Sequence, residues 1–344
     1  MFLPPLFLWL LWDFQASYAY DAMPKKPRFV PIIIAVVLIV YALFFYIPKE
    51  QNCTFYSMGG IKTEVKAFYT KRKLFKQTCN TIKTRYEELE NAFSKYRAGS
   101  ELSRINDKAS IRPVVISKEM ITVIKRSLEI AHLTEGSFDI TILPLINLWK
   151  ESQKNNEIPS QKSVRAALNK VSYKHIKLNE ENSTVKFQKK GVKLDLGAIA
   201  KGYMIDQAKV IMLKAGIQRG LVNSGGDVIV FDKTDSPKEF SIGIYNPVSK
   251  NHDQSYKITN GAIVTSGNYN RYYEIQGQKF SHIIDPRTGQ NKRSCFSISV
   301  VAPTCTDADA IATALCADQK YKGNKKLPGF KNVEIVDYQA NDKD

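Results

Sequence analysis

The alternation of apolar and polar positions along the chain opens on an uncharged apolar run, FVPIIIAVVLIVYALFFYI, 19 residues covering Phe29–Ile47. A helix needs about 20 such residues to cross the hydrocarbon core of a bilayer. Lys25, Lys26 and Arg28 lie just ahead of it, which by the positive-inside rule keeps the N-terminus cytoplasmic and sends the rest across. No small-x-small cleavage site follows, so an uncleaved anchor is expected rather than a removed signal. No lipobox precedes Cys53. The shorter apolar stretch MFLPPLFLWLLWDF is either a second hydrophobic segment or lies upstream of a true start at Met23. The expected organisation is an N-terminal segment over 1–28, a transmembrane anchor or signal over 29–47, and one domain over 50–340. That places the chain at the inner (cytoplasmic) membrane, with its domain on the periplasmic or extracellular side.

Beyond the anchor the pattern changes to amphipathic segments. Residues 69–96 carry apolar positions at Leu74, Ile82, Leu89 and Phe93 without Gly or Pro, which predicts a long helix. A second helix is expected over 116–136, closing at Gly136, and a short third over 164–171. STVKFQKKGVKLDLG (183–197) alternates and predicts a hairpin. A helix follows over 198–216, stopped by Gly216. RGLVNSGGDVIVF reads as strand, Gly-rich turn, strand. EFSIGIYNP, GAIVTSG, RYYEIQGQKF and SISVVAP each read as a strand, and Asp307–Asp318 as a helix. Helices and strands mix without a regular βαβ rhythm, which predicts an α+β fold of mixed, largely antiparallel sheets with packed helices.

Composition narrows the class. Hydrophobic residues make up 44% of 344, enough for a substantial core. The formal net charge of +17 is spread along the chain, so a solvated basic surface is expected, not a nucleic-acid site. Five cysteines with no C-x-x-C pair exclude structural zinc and thioredoxin-like chemistry and leave room for one disulfide.

Several short stretches carry candidate chemistry. Asp309 and Thr313 are four residues apart and share a helix face. A carboxylate beside a hydroxyl suits a hard cation such as Mg²⁺, although Thr306 with Asp309 also fits a capping box, the preferred reading of those residues alone. Gly197 stands where a strand becomes a helix and Lys201 lies in the first turn. That is an anion-binding arrangement, or simply tight packing. Gly225, Gly226 and Asp227 in VNSGGDV allow close backbone approach to a ligand, or form a plain turn. The same choice holds for Thr265, Ser266 and Gly267 in TSGNY. In SHIIDPRTG, His282 can exchange a proton near neutral pH and Arg287 can pair with phosphate, or each can serve its own loop.

In their order along the chain these stretches are more specific than singly. SMGG, SKYRAGSELSRIN, GSFDITILPLINLW, LDLGAIAKGYMID, LVNSGGDV, TSGNYNRYYEIQGQKFSHIIDPRTG and ADAIATAL resemble the motifs of the ApbE family, the FAD:protein FMN transferases, from about residue 55 to residue 320. The resemblance implies that FAD bound with Mg²⁺ is split at its pyrophosphate. FMN then passes to a Ser or Thr hydroxyl of an acceptor protein, typically a membrane-associated redox subunit, and AMP is released. It implies Asp309 and Thr313 as metal ligands with the Ala198 carbonyl, reversing the capping-box preference. It places Lys201 near the phosphates and His282 at the acceptor hydroxyl. Asp285 and Arg287 then shape the loop and part of the diphosphate environment. Met58, Tyr96, Ser100, Asp139 and the Gly225-Gly226-Asp227 turn line the FAD cleft, with Thr265, Ser266 and Gly267 beside it. The chain departs from the pattern at Gly60, where threonine is usual, at Asp232, near a usual glycine, and in its short Lys-rich end. A hydrolase of the same fold, cutting FAD to FMN and AMP, and a non-catalytic flavin carrier are the competing expectations.

Overall fold

The computed structural model describes residues 32–37, 50–247, 249–267, 272–291, 297–318, 329–330 and 332–338. The chain divides into Met1–Pro48 and Lys49–Asp344. In the first unit residues 32–37 are helical. The rest of the expected anchor, and residues 1–28, lie outside the described residues. Among the described residues no helix is long and apolar enough to cross a membrane.

The second unit is built on a seven-stranded antiparallel sheet. Its strands are β1 (Gln51–Ser57), β2 (Ile61–Phe68), β6 (Arg219–Ser224), β7 (Asp227–Asp232), β10 (Gly261–Gly267), β13 (Ser297–Ala302) and β14 (Glu334–Tyr338), in that spatial order. Side chains alternate between the two faces of a strand. Val222, Ile229, Phe231, Val264 and Val300 therefore point into the main core. Val228 and Val230 point the other way, where Phe240 covers them together with half-buried Leu221 and Ile242. The register sets Ser57 opposite Ile61, Ser224 opposite Asp227 and Gly267 opposite Ser297. The β1–β2 turn, the β6–β7 turn and the close of β10 thus share one end of the sheet.

The helices are α1 (Arg72–Phe93), α2 (Glu101–Lys108), α3 (Lys118–Leu133), α4 (Leu143–Asn155), α5 (Gln161–Leu168), α6 (Ala200–Lys214) and α7 (Cys305–Ala317). α7 is enclosed on nearly all sides, with 11 of its 13 residues buried. Its alanines make that possible, because small side chains let neighbours approach all round. Burial of α7 is also what isolates Asp309 from water. A small sheet has the order β3 (Val114–Val115), β5 (Thr184–Phe187), β4 (Ile176–Asn179), and β8 (Phe240–Asn246) pairs with β9 (Asn251–Ile258). A second core forms from Leu145, Trp149, Ala167, Tyr273, Ile275 and Ile284, joining α4 and α5 to the hairpin of β11 (Tyr272–Ile275) and β12 (Gln278–Ser281).

The α+β expectation holds, with local corrections. The hairpin expected over 183–197 does not form. β5 pairs instead with the upstream β4 and with β3, while Lys193 makes a parallel bridge to Ile142. The stretch RYYEIQGQKF, expected as one strand, forms a hairpin from Tyr272 onward, because Gln276 and Gly277 adopt positive φ and reverse the chain. The departure at Gly60 has a backbone cause: its φ of 105° in the β1–β2 turn is one that threonine resists. Asp232 closes β7 with a turn of its own. It accepts from Thr234 N (3.0 Å), Thr234 Oγ1 (2.6 Å) and Lys238 N (2.9 Å) and pairs with Arg219. The Lys-rich stretch 319–328 lies outside the described residues.

Cys53 of β1 is bonded to Cys79 of α1, 26 residues apart. Closing a loop of that length stabilises a domain by roughly 2–4 kcal/mol. Cys53→Ser is expected to lower the unfolding free energy by about that much in a denaturant titration. A change within about 0.5 kcal/mol, the scale of an ordinary surface substitution, would contradict the pairing.

Candidate active site

Two buried carboxylates and one lysine meet beneath the shared end of the sheet. Asp227 opens β7, Asp309 lies on α7 and Lys201 in the first turn of α6. Asp227 and Asp309 are 2% and 4% exposed. Lys201 pairs with Asp227, and Asp227 Oδ1 accepts from Thr265 N (3.4 Å). Burial pushes the Asp309 carboxyl up to about 7; Lys201 opposes the rise and Asp227 adds to it. Burial likewise raises Asp227 against the pull of Lys201. Burial alone would lower Lys201, but Asp227 and then Asp309 hold it well above the usual lysine range. Two acids against one ammonium leave an excess negative charge in a site that disfavours it.

The oxygens around that charge fit a hard cation. The Gly202 N–H, which a regular helix directs at the carbonyl four residues back, donates instead to Asp309 Oδ2 (3.1 Å). The Ala198 carbonyl is thereby left outside the helix ladder. Thr313 Oγ1 lies 3.4 Å from Ser266 Oγ, and Thr265 Oγ1 lies 2.7 Å from Ser299 Oγ. Carboxylate, carbonyl and hydroxyl are the donors Mg²⁺ takes, usually few from protein and the rest from water and phosphate. Among the described residues no cluster of three or more His, Cys, Asp or Glu could hold a metal ion by itself. The capping-box alternative fails on register. The cap of α7 is Thr304, which accepts from Asp307 N (3.2 Å), so the box position falls at Asp307 and Asp309 lies two residues beyond it.

His282 follows β12 and is half-buried. Its loop is held rigidly. Asp285 N donates to Gln290 O and Gly289 N to Asp285 O, both at 2.8 Å, and Trp149 Nε1 donates to Gly289 O (3.1 Å). Arg287 binds Asp285 through Nε and Nη2, both at 3.0 Å, and Asp318 through Nη1 (2.7 Å). The guanidinium therefore ties the His282 loop to the C-terminal end of α7, the helix that carries Asp309 and Thr313.

The other expected residues are placed as follows. Met58 has φ 48° in the β1–β2 turn and donates its N–H to Glu90 Oε2 (2.9 Å). Tyr96 is 75% exposed, with Lys150 Nζ 3.1 Å from its hydroxyl. Ser100 caps α2, accepting from Ser103 N (2.9 Å). Asp139 is fully engaged: it accepts from Thr141 N (2.8 Å), Thr141 Oγ1 (2.7 Å) and Tyr173 N (2.6 Å). Gly225 and Gly226 form the β6–β7 turn, and Gly226 N donates to Asn223 Oδ1 (2.9 Å). Gly267 ends β10; Asn268 and Tyr269 of the TSGNY stretch lie outside the described residues. Sequence reasoning passed over Asp195, which pairs with Lys95 and accepts from Gly197 N (2.7 Å). It thereby braces the turn that presents Ala198. The Asp-x-Gly spacing was its one local signal.

Asp227, Asp309 and Lys201 thus form one buried charged group, and the loop of His282 is tied through Arg287 to the end of the helix that carries Asp309. The chain belongs to the ApbE family, whose profile matches residues 59–336. It is 34% identical to the FAD:protein FMN transferase of Escherichia coli K12 over 241 residues, covering 68% of this chain and 69% of that one. It is 32% identical to the enzyme of that name from Vibrio cholerae over 243 residues, covering 69% and 72%. The crystal structure of an ApbE protein from Thermotoga maritima aligns with a TM-score of 0.71 at 29% identity, covering 78% of this chain and 87% of that one.

Proposed function

We propose that this chain transfers FMN from FAD to a Ser or Thr hydroxyl of an acceptor protein with Mg²⁺ bound. The buried Lys201–Asp227–Asp309 group, with Gly202 N given to Asp309, is the observation that carries this reading. Asp309, Thr313 and the Ala198 carbonyl would hold the ion, which neutralises charge on the diphosphate when bound. Lys201, kept protonated by the two acids, contributes a fixed positive charge. His282 accepts the proton of the acceptor hydroxyl as its oxygen bonds to the FMN phosphorus. The phosphorus–oxygen bond to AMP breaks, and AMP departs with that bond's electron pair. Positioning and charge neutralisation do most of the work in such a step.

The domain is held at the outer face of the cytoplasmic membrane by the segment 29–47. The Cys53–Cys79 bridge supports this side of the membrane, since structural disulfides persist in oxidising compartments. A membrane-associated redox subunit on the same face is the acceptor that an anchored enzyme meets at raised effective concentration. The test is to incubate the full chain with FAD, Mg²⁺ and an acceptor domain. The acceptor should gain the mass of FMN less water, and chelation should stop the gain. An unmodified acceptor with intact FAD would overturn the reading.

A further inference from the structure

α6 meets α7 at two positions four residues apart, Gly202 and Asp206. The Ala198 carbonyl precedes the first turn of α6. Gly202 gives its N–H to Asp309, and Asp206 stands one turn further on. At Gly202 the two backbones touch: an added Cβ would lie 2.3 Å from the Cys305 carbonyl oxygen. At Asp206 the carboxylate takes the amino end of α7. Oδ1 accepts from Cys305 N (2.9 Å), and Oδ2 accepts from Thr306 N (2.9 Å) and Thr306 Oγ1 (2.5 Å). A helix leaves its first N–H groups without partners, and a cap residue satisfies one or two of them. Here Thr304 serves Asp307 N, and a side chain from another helix serves the two N–H groups before it. A negative charge at that end also meets the positive pole of the helix dipole.

We propose that Asp206 is the positioning residue of the metal site, fixing α7 on α6 so that Asp309 and Thr313 face the Ala198 carbonyl at the spacing a small cation demands. The proposal rests on the Mg²⁺ reading above. Asp206 touches neither metal nor substrate; it acts through α7. Three hydrogen bonds to two successive residues set both the height and the rotation of that helix. Asp309 lies one turn beyond Cys305 and Thr313 two turns beyond, so a slip at the amino end is carried to both ligands. Mg²⁺ needs near-ideal geometry, and loss of a residue that orients ligands typically weakens metal affinity about 10–100-fold.

The test uses the full chain and Mn²⁺ as probe, with free Mn²⁺ read by its electron paramagnetic resonance signal. Asp206→Asn keeps the shape and removes the charge and one strong acceptor. It should weaken Mn²⁺ binding by about 10-fold or more, while FAD affinity without metal stays within about twofold. Raising Mg²⁺ should then restore turnover, a shift in metal requirement and not in maximal rate. A role in global stability alone would not move the metal constant in a protein that still binds FAD. Thr306→Val, which removes one of the three bonds, should weaken Mn²⁺ binding by a few-fold and decides the matter if the first variant does not fold. Wild-type Mn²⁺ affinity in either folded variant would overturn the proposal. Equal Mn²⁺ binding by wild type and Asp309→Ala would instead overturn the metal reading beneath it.

Discussion

Asp309→Ala is expected to lower FMN transfer by about 10³-fold or more, with FAD affinity in the absence of metal changed by no more than a few-fold. The side chain is 4% exposed, receives a hydrogen bond from Gly202 N, and feels the charges of Lys201 and Asp227. Alanine removes the one carboxylate of the proposed metal set and leaves Lys201 paired to Asp227. The same substitution has a second signature, in stability. Burial, opposed by Lys201 and aided by Asp227, raises Asp309 to about 7, so the metal-free folded state holds this proton more tightly than the unfolded chain does. Its contribution to stability is present below the unfolded pKa, near 4, and is lost as pH rises through about 7. Metal-free wild type should therefore lose stability across that window, and Asp309→Ala should lose less. Mg²⁺, which needs the ionised carboxylate, should bind more tightly as pH rises to about 7. Full transfer activity in Asp309→Ala, or a pH profile of stability identical to wild type, would refute this assignment.

His282→Ala is expected to slow transfer by about 10²–10⁴-fold, the usual range for loss of a general base, while FAD binding stays within about threefold. The basis is that the loop carrying the histidine has a framework of contacts supplied by other residues. Asp285, Arg287, Gly289 and Trp149 fix the backbone through contacts that do not involve the imidazole. Removing the ring leaves that frame standing, so the loss should fall on the chemical step. Single-turnover rates measured beside FAD affinity separate the two. A parallel loss of both would mean that the histidine shapes the cleft and takes no part in proton transfer.

Much of this fold was legible because its signals are local. Residues 72–93 alternate at helical spacing, and the VNSGGDV turn is enclosed by two apolar strands. The family motifs preserve the order of the site elements. Other parts were hidden for physical reasons. β9 reads NHDQSYKI, a polar stretch whose strand character comes from pairing with β8 and not from burial. The 183–197 segment alternates like a hairpin, but its partners, β4 and β3, both lie upstream in the chain. Thr306 and Asp309 have capping-box spacing, yet the cap sits two residues earlier, at Thr304. Asp195 and Asp206 look like ordinary acids in sequence because their partners, Lys95 and Thr306, are each 100 residues away. The candidate metal ligands were found by motif. What holds them in place was visible only once α6 and α7 were seen in contact.

Transfer to a protein hydroxyl is tested by counting both products of one reaction. The full chain is incubated with FAD, Mg²⁺ and an acceptor domain bearing the target Ser or Thr. AMP is quantified by chromatography and the acceptor by intact mass. AMP and FMN-bearing acceptor should form in equal amounts, both lost on chelation and both lost when the acceptor residue is alanine. AMP released with free FMN, at the same rate whether or not the acceptor hydroxyl is present, would contradict it and identify a hydrolase.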